Sequence, residues 1–215
     1  MRVGRAKALR AAARAQALVV VGAVPLTPAD GLPGMGSLWL LAPDGARFWP
    51  AFTASPEARD RRLDPMDRWS ARVIGALAEA LGGIAVFPFG LPHRPFYAWA
   101  LRSGRFHPSP VHLLVHRRMG LWASFRGAIA LPDPVTARPQ PSPCTRCPAP
   151  CTAACPPGAL TAAGYDTATC HAFLDTPAGS DCMTRGCAVR RACPAGESYG
   201  RLPAQSAWHM RQFHP

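Results

Sequence analysis

Cys144-Thr-Arg-Cys147-Pro-Ala-Pro-Cys151-Thr-Ala-Ala-Cys155-Pro156 is the stretch on which the reading of this chain turns. Its spacing is C-x2-C-x3-C-x3-C-P, and Cys170, Cys182, Cys187 and Cys193-Pro194 follow it. The first 143 residues contain no cysteine, so the thiols mark off a late functional segment from an earlier body. Three chemistries collect cysteines in this way. Disulfides require an oxidising compartment. Structural zinc usually shows paired C-x2-C knuckles, often completed by histidine, whereas only Cys144 and Cys147 form such a knuckle here.

The third chemistry is the iron–sulfur cube, and the pattern suits it best. In two-cluster motifs of the C-x2-C-x2-C-x3-C-P kind, three close cysteines hold one cluster and the fourth serves the other. The reason is reach, because a loop can wrap three corners of a cube while the next thiol points away beyond the turn. Proline after that thiol stops the turn and removes an amide that would need a partner. Applied to this chain, Cys144, Cys147, Cys151 and the distant Cys193 form one ligand set, and Cys155, Cys170, Cys182 and Cys187 form the second. The first run is one residue longer than the usual motif, and the second half is wider. His171 stands directly after Cys170 as an alternative ligand, with the cysteine preferred. Two [4Fe-4S] clusters are the expected cofactors; zinc and disulfides remain the competing readings.

Upstream, LPDPVTARPQPSP (131–143) is dense in proline, which denies the backbone donors and favours an extended segment lying against the body. The predicted division is therefore 1–136 and 137–215. In the first part, residues 3–16 suit a helix, and the short apolar runs ALVVVGAVPL (17–26) and SLWLLA (37–42) suit buried strands. Asp64-Pro65-Met66-Asp67 reads as a helix start with Asp64 capping, followed by Trp69, Val73, Ile74, Leu77 and Leu81 at helical spacing and stopped by Gly82-Gly83. IAVFPF (84–89) is predicted as a strand and 95–102 as a short helix. VHLLVHR (111–117) and LWASFRGAIAL (121–131) are predicted as adjacent strands around Arg118-Met119-Gly120. The fold class is α+β.

The N-terminus, MRVGRAKALRAAARAQALVVVGAVPL, imitates a signal peptide, but Arg14 and Gln16 interrupt it and no small-residue cleavage site follows. It reads as a first helix running into a buried strand, in a cytoplasmic protein. No run approaches the roughly 18 apolar residues of a membrane span, and no membrane association is expected. The net charge of +12 is almost all arginine spread along the chain, so nucleic acid is not an expected partner. No Ser-His-Asp order, phosphate loop, dinucleotide fingerprint or HExxH helix is present. His112 and His116 would share a face of a strand over 111–117, a candidate metal pair whose plainer reading is solvent exposure. His93, His107, His209 and His214 carry no motif.

The order CTRCPAPCTAACPPGAL, ATCHAFL, CMTRGC and ACP resembles the two-cluster ferredoxin module of epoxyqueuosine reductases and reductive dehalogenases. Those enzymes join it to an N-terminal corrinoid-binding domain of the nitroreductase-like kind, shared with the cobalamin-processing chaperone CblC. HRRMGLWASFRGAIALPDPV and LRAAARAQALVVVGAVPL are similar to segments of that domain. The resemblance implies a CblC-like sheet-and-helix domain followed by a small ferredoxin-like module. It implies cobalamin as a second cofactor, and a relay of electrons from a low-potential donor such as a flavodoxin or ferredoxin. On that reading Gly120, Trp122, Phe125, Arg126 and Gly127, with Phe89, Gly90 and Pro92 from the FPFGLPHRPF loop, line the corrinoid site. The chain is much shorter than an epoxyqueuosine reductase. The plainer reading of Trp122 and Phe125 is core, and Gly120 and Gly127 would serve a turn and close packing. Arg126, in an apolar run, needs an anionic partner or water wherever it lies. The other functional reading is a non-enzymatic electron carrier or adaptor with a degenerate N-terminal docking domain.

Overall fold

The computed structural model describes residues 2–215, with side chains from residue 4 onward. The fold is mixed α and β and divides into two compact units, each discontinuous in sequence. The first runs through Arg105 and resumes over Ser124–Gln140, while the second comprises Phe106–Ala123 and Pro141–Pro215.

In chain order the first unit begins with helix α1 (Arg2–Ala15), strands β1 (Leu18–Pro25) and β2 (Ser37–Pro43), and the short helices α2 (Phe48–Thr53) and α3 (Pro56–Arg59). Helix α4 (Pro65–Ala80), strand β3 (Ile84–Val86) and helix α5 (Phe96–Arg102) follow. The chain then leaves for β4 (Phe106–Pro108) and β5 (Leu114–His116) of the second unit, and returns as β6 (Gly127–Leu131). The first unit's sheet has the order β1-β2-β6-β3, with every neighbouring pair antiparallel. Every residue of β2 and β6 is buried, which is why SLWLLA and GAIAL are unbroken apolar runs without alternation. The edges are protected differently. β3 is three residues long, and β1 carries a register shift between Val20 and Gly22 that interrupts its ladder.

Helix α4 buries Met66, Trp69, Ser70, Val73, Ile74 and Ala78, the stripe that its 3.6-residue period places on one face. It stops as its sequence demands. Gly82, at φ +62°, donates to Glu79 O and Gly83 donates to Ala78 O, the paired bonds that close a helix through a left-handed glycine. At the other end Asp64 occupies the cap position with φ +51° but makes no side-chain cap bond, contrary to its expected role. Its left-handed backbone does not present the carboxylate to the first-turn amides, and Pro65 at N1 reduces the number of donors to satisfy. Helix α5 is anchored by Asp30, which accepts from Trp99 Nε1 at 2.7 Å and from Arg102 at 2.6 Å. Burial raises the Asp30 pKa, but the bonds from Arg102, the Thr27 amide and Trp99 outweigh it and hold the carboxylate well below its usual range.

The proline-rich segment lies against the first unit. The Asp133 carbonyl accepts from Ser37 Oγ and its carboxylate pairs with Arg5 at 2.6 Å. Gln140 N donates to Gly104 O, and a Cβ on Gly104 would come within 2.7 Å of Pro139.

In the second unit β4 pairs with β5, β7 (Leu160–Thr161) pairs with β8 (Gly164–Tyr165), and helices α6 (Thr167–Leu174), α7 (Ser180–Arg185), α8 (Ala188–Arg191) and α9 (Pro203–Phe213) complete it. Two expectations are corrected here. The compact units do not divide at 136/137, because Phe106–Ala123 groups with the cysteine-rich segment. The stretches 111–117 and 121–131 are not a strand pair either: β5 pairs with β4, β6 pairs with β2 and β3, and only one bridge, His116 to Gly120, joins the two sides of the turn. The cause is burial: Val111, Val115 and Leu121 belong to the second unit's core, and residues 121–126 therefore leave the strand direction. Predicted strand 84–89 is likewise paired only over Ile84–Val86, Pro88 having no amide to continue it.

Candidate metal centre

The second unit's core is a cluster of Val111, Val115, Leu121, Leu160 and Val189 into which Cys151 and Cys193 are built, with Cys144, Cys155 and Cys187 packed against it. Thiols thus sit where a small domain would ordinarily place aliphatic side chains. Local structure aims them. Asp166 caps α6 by accepting from the Thr169 amide at 3.0 Å, which starts the turn that presents Cys170. Gly186, at φ +87°, ends α7 between Cys182 and Cys187, and a Cβ there would meet Ser206 at 2.9 Å and Trp122 at 3.1 Å.

All eight thiols are free. Their mutual electrostatics follow two patterns. Burial pushes the Cys144 and Cys151 pKa values up, and repulsion from Cys147 and Cys193 adds to it in both. Burial likewise raises Cys170, with further contributions from Cys187, Cys155 and Cys182, and it raises Cys182 with a contribution from Cys187. No thiol with a resolved shift is perturbed by a member of the other expected ligand set. The thiol neighbours that act on Cys144 and Cys151 are thus drawn from Cys144, Cys147 and Cys193, and those that act on Cys170 and Cys182 from Cys155, Cys182 and Cys187. Among the described residues no three of His, Cys, Asp or Glu converge closely enough to hold a single metal ion. Four thiolates on one zinc at about 2.3 Å would stand only about 3.8 Å apart.

Hydrogen-bond donors face the sulfurs. Ala149 N donates to Cys147 Sγ, Leu160 N to Cys155 Sγ and Tyr165 Oη to Cys170 Sγ, each at 3.4 Å. Burial and the thiol neighbours raise the Tyr165 pKa, so the phenol keeps its proton and stays a donor. Arg190, three residues after Cys187, is half-buried and donates to Leu121 O. Desolvation lowers its pKa while Cys187 and Tyr165 act to raise it, and among the described residues no carboxylate pairs with it. A half-buried guanidinium beside a thiol is stabilised where that thiol carries negative charge. Neither Tyr165 nor Arg190 was singled out from the sequence, although the i, i+3 spacing of Cys187 and Arg190 was visible there.

The residues expected to line a corrinoid site are divided between the two units. Gly120 and Trp122 belong to the second unit. A Cβ on Gly120, at φ +53°, would lie 2.4 Å from Gly196 N and 3.0 Å from Cys193 Sγ, so this glycine admits the Cys193 loop. Trp122 packs on Gly186 and Gly196, and Arg201 lies over its ring at 5.2 Å. In the first unit, Phe125 sits 5.8 Å from Phe96, and Phe89 stacks on Phe87 at 5.0 Å. A Cβ on Gly127 would strike Ile74 at 2.8 Å. Gly90 and Pro92 are exposed. Arg126 has found its anion within the protein, Asp67 Oδ1 at 3.4 Å, and burial lowers its pKa while raising that of Asp67. Gly120, Trp122, Phe125, Arg126, Gly127 and Phe89 thus have packing or pairing roles within their own units. His112, at φ +60°, lies outside any strand and bonds Ala162 O at 2.8 Å, whereas His116 is buried on β5, so the two form no metal pair. His171 instead contacts the His214 ring, Nδ1 to Nδ1 at 2.6 Å.

Among the described residues no helix is long and apolar enough to cross a membrane. The chain matches no known protein-family model, and no curated protein is similar enough to count as a relative.

Proposed function

We propose that this chain is an iron–sulfur electron-transfer protein whose second unit is a ferredoxin-like module holding two [4Fe-4S] clusters. Cys144, Cys147, Cys151 and Cys193 would hold one, and Cys155, Cys170, Cys182 and Cys187 the other. The observation that carries this is the gathering of eight free thiols in one unit, where the thiols that act on Cys144 and Cys151 and those that act on Cys170 and Cys182 do not overlap. Each cluster, when bound, takes up and gives back one electron. The protein's own residues do the rest. Burial keeps water from Cys151, Cys182 and Cys193, the amides of Ala149 and Leu160 and the Tyr165 phenol stabilise charge on sulfur, and Arg190 supplies a positive charge beside Cys187.

A cytoplasmic setting follows from the need to keep the thiols reduced. The charge of +12 would steer the chain towards an acidic low-potential donor of the flavodoxin or ferredoxin kind. For the first unit, a CblC-like ancestry and a corrinoid acceptor rest on the sequence resemblance alone. The engagement of Arg126 with Asp67 and the filling around Gly127 favour the carrier or adaptor reading, in which this unit docks a partner.

The test is metal and sulfide analysis of anaerobically purified protein. About eight irons with matching labile sulfide are expected, falling to about four in Cys193→Ala and in Cys187→Ala, with the electron paramagnetic resonance signal of one reduced cluster surviving in each. About two zinc ions with no labile sulfide would overturn the proposal.

A further inference from the structure

Outside the thiol sets, the first unit contains a half-open cavity of about 640 Å³ between α1, the interrupted part of β1 and the returning proline-rich segment. Its walls carry four cations from three distant parts of the sequence: Lys7 and Arg10 on α1, Arg105 after α5, and Arg138 on the proline-rich segment. The acid on the wall, Asp133, is already bound to Arg5 at 2.6 Å. Several arginines elsewhere on this chain are matched with carboxylates, as in Arg72 with Glu57, Arg68 with Asp60, Arg102 with Asp30 and Arg126 with Asp67. Among the described residues none of the four cavity cations has such a partner. A compositional excess of arginine would leave unpaired cations scattered, since like charges separate in solution; here the fold gathers them.

The cations are also held in place. The Arg10 guanidinium lies 5.3 Å from the centre of the Trp39 ring, which fixes its plane. Arg105 Nη1 reaches Arg138 O at 3.5 Å, tying two of the three chain segments together at the rim. Desolvation, then Arg105, then Arg138 lower the Arg10 pKa, so the cluster repels itself and gains by taking an anion. Val20, Val21, Leu131, Pro134 and Val135 give the remaining wall an apolar surface, and the volume falls in the range of small-molecule sites. A phosphomonoester brings only about −1.5 to −2 charges, so offsetting four cations takes two phosphate groups.

We propose that this cavity binds the diphosphate group of a small molecule, with Arg10, Arg105 and Arg138 forked on its oxygens and the apolar wall facing whatever body carries it. Arginine's planar fork suits phosphate oxygens in a way lysine's point charge does not. The site is independent of the iron–sulfur reading, because none of its residues is a thiol neighbour.

Calorimetric titration of the full chain, kept anaerobic, tests it with ADP, inorganic pyrophosphate and inorganic phosphate as probes. Saturable binding of ADP and pyrophosphate is expected, at least tenfold tighter than phosphate, with ADP above pyrophosphate if the apolar wall is used and equal to it if only the diphosphate is held. The double variant R105Q/R138Q should lose at least tenfold for both. A control pair, R47Q/R59Q, removes the same charge from exposed positions of the same unit outside the cavity lining and should stay within twofold of the parent. Arg105→Lys, which keeps charge and loses the fork, should fall between parent and double variant. Absence of saturable binding overturns the proposal, as does equal loss in both double variants. Tighter binding of a single-stranded RNA oligomer than of ADP, abolished by R105Q/R138Q, would also overturn it by assigning the groove to nucleic acid.

Discussion

The two units are built on different physics. The first buries Leu38, Leu40, Leu41, Ala128, Ile129 and Ala130 completely in paired strands and covers them with Trp99, Phe48, Phe52 and Trp69, a core that removes large apolar side chains from water. The second has strands of two or three residues and, before α9, helices of four to eight, lengths that cannot sustain themselves without tertiary support. Its core is modest, and thiols occupy part of it. A sheet of aliphatic runs is self-sufficient; on the iron–sulfur proposal, a chain of short turns around eight sulfurs would be organised by the clusters they hold.

That contrast can be broken outright by removing iron. Anaerobic chelation should abolish amide-exchange protection throughout Pro141–Pro215 while β2 and β6 stay protected, because binding energy at such sites is folding energy. Protection retained in the second unit would mean that its aliphatic core suffices. A smaller and more local effect is expected from Gly120→Ala. The new Cβ would collide with Gly196 N in a left-handed backbone, displacing the Cys193 loop. Iron should drop to about half with the first unit's thermal transition unmoved, and full retention of iron would separate Gly120 from the centre.

The smallest effect sharpens the other side of the comparison. Arg72 holds the Glu57 pKa down, against the upward push of burial, to about 2 from an ordinary value of 4.5. A depressed folded-state value means that this pair stabilises the first unit above about pH 4.5, and that its contribution is lost as pH falls from there through about 2. Glu57→Gln should therefore cost the first unit up to about 1 kcal/mol at pH 7, since Arg72 is largely exposed. In urea unfolding the two proteins should converge near pH 2, and a difference that persisted there would place the effect in packing.

Legibility followed the range of the interaction. Helices α1 and α4, and strands β2 and β6, were readable because periodicity and capping glycines act within a few residues. The gathering of the thiols in one unit was readable because all eight fall within one short stretch of sequence. The turn at Arg118-Met119-Gly120 misled, since two apolar runs flanking a glycine look alike whether they pair with each other or are drawn into separate cores. Arg126 was recognised as needing an anion, but Asp67 lies 59 residues away and no local pattern could name it. The basic cavity was read as mere composition for the same reason.

The sequence by itself determined that the chain is mixed α and β, where its main helix and central strands lie, and that eight cysteines are confined to one segment. Tertiary structure alone decided that Phe106–Ala123 joins that segment, that Arg190 stands half-buried beside Cys187, and that Arg10, Arg105 and Arg138 line one cavity. Backbone propensity and side-chain period are properties of neighbouring residues, whereas the placing of a charge depends on which remote surfaces the core brings to face each other.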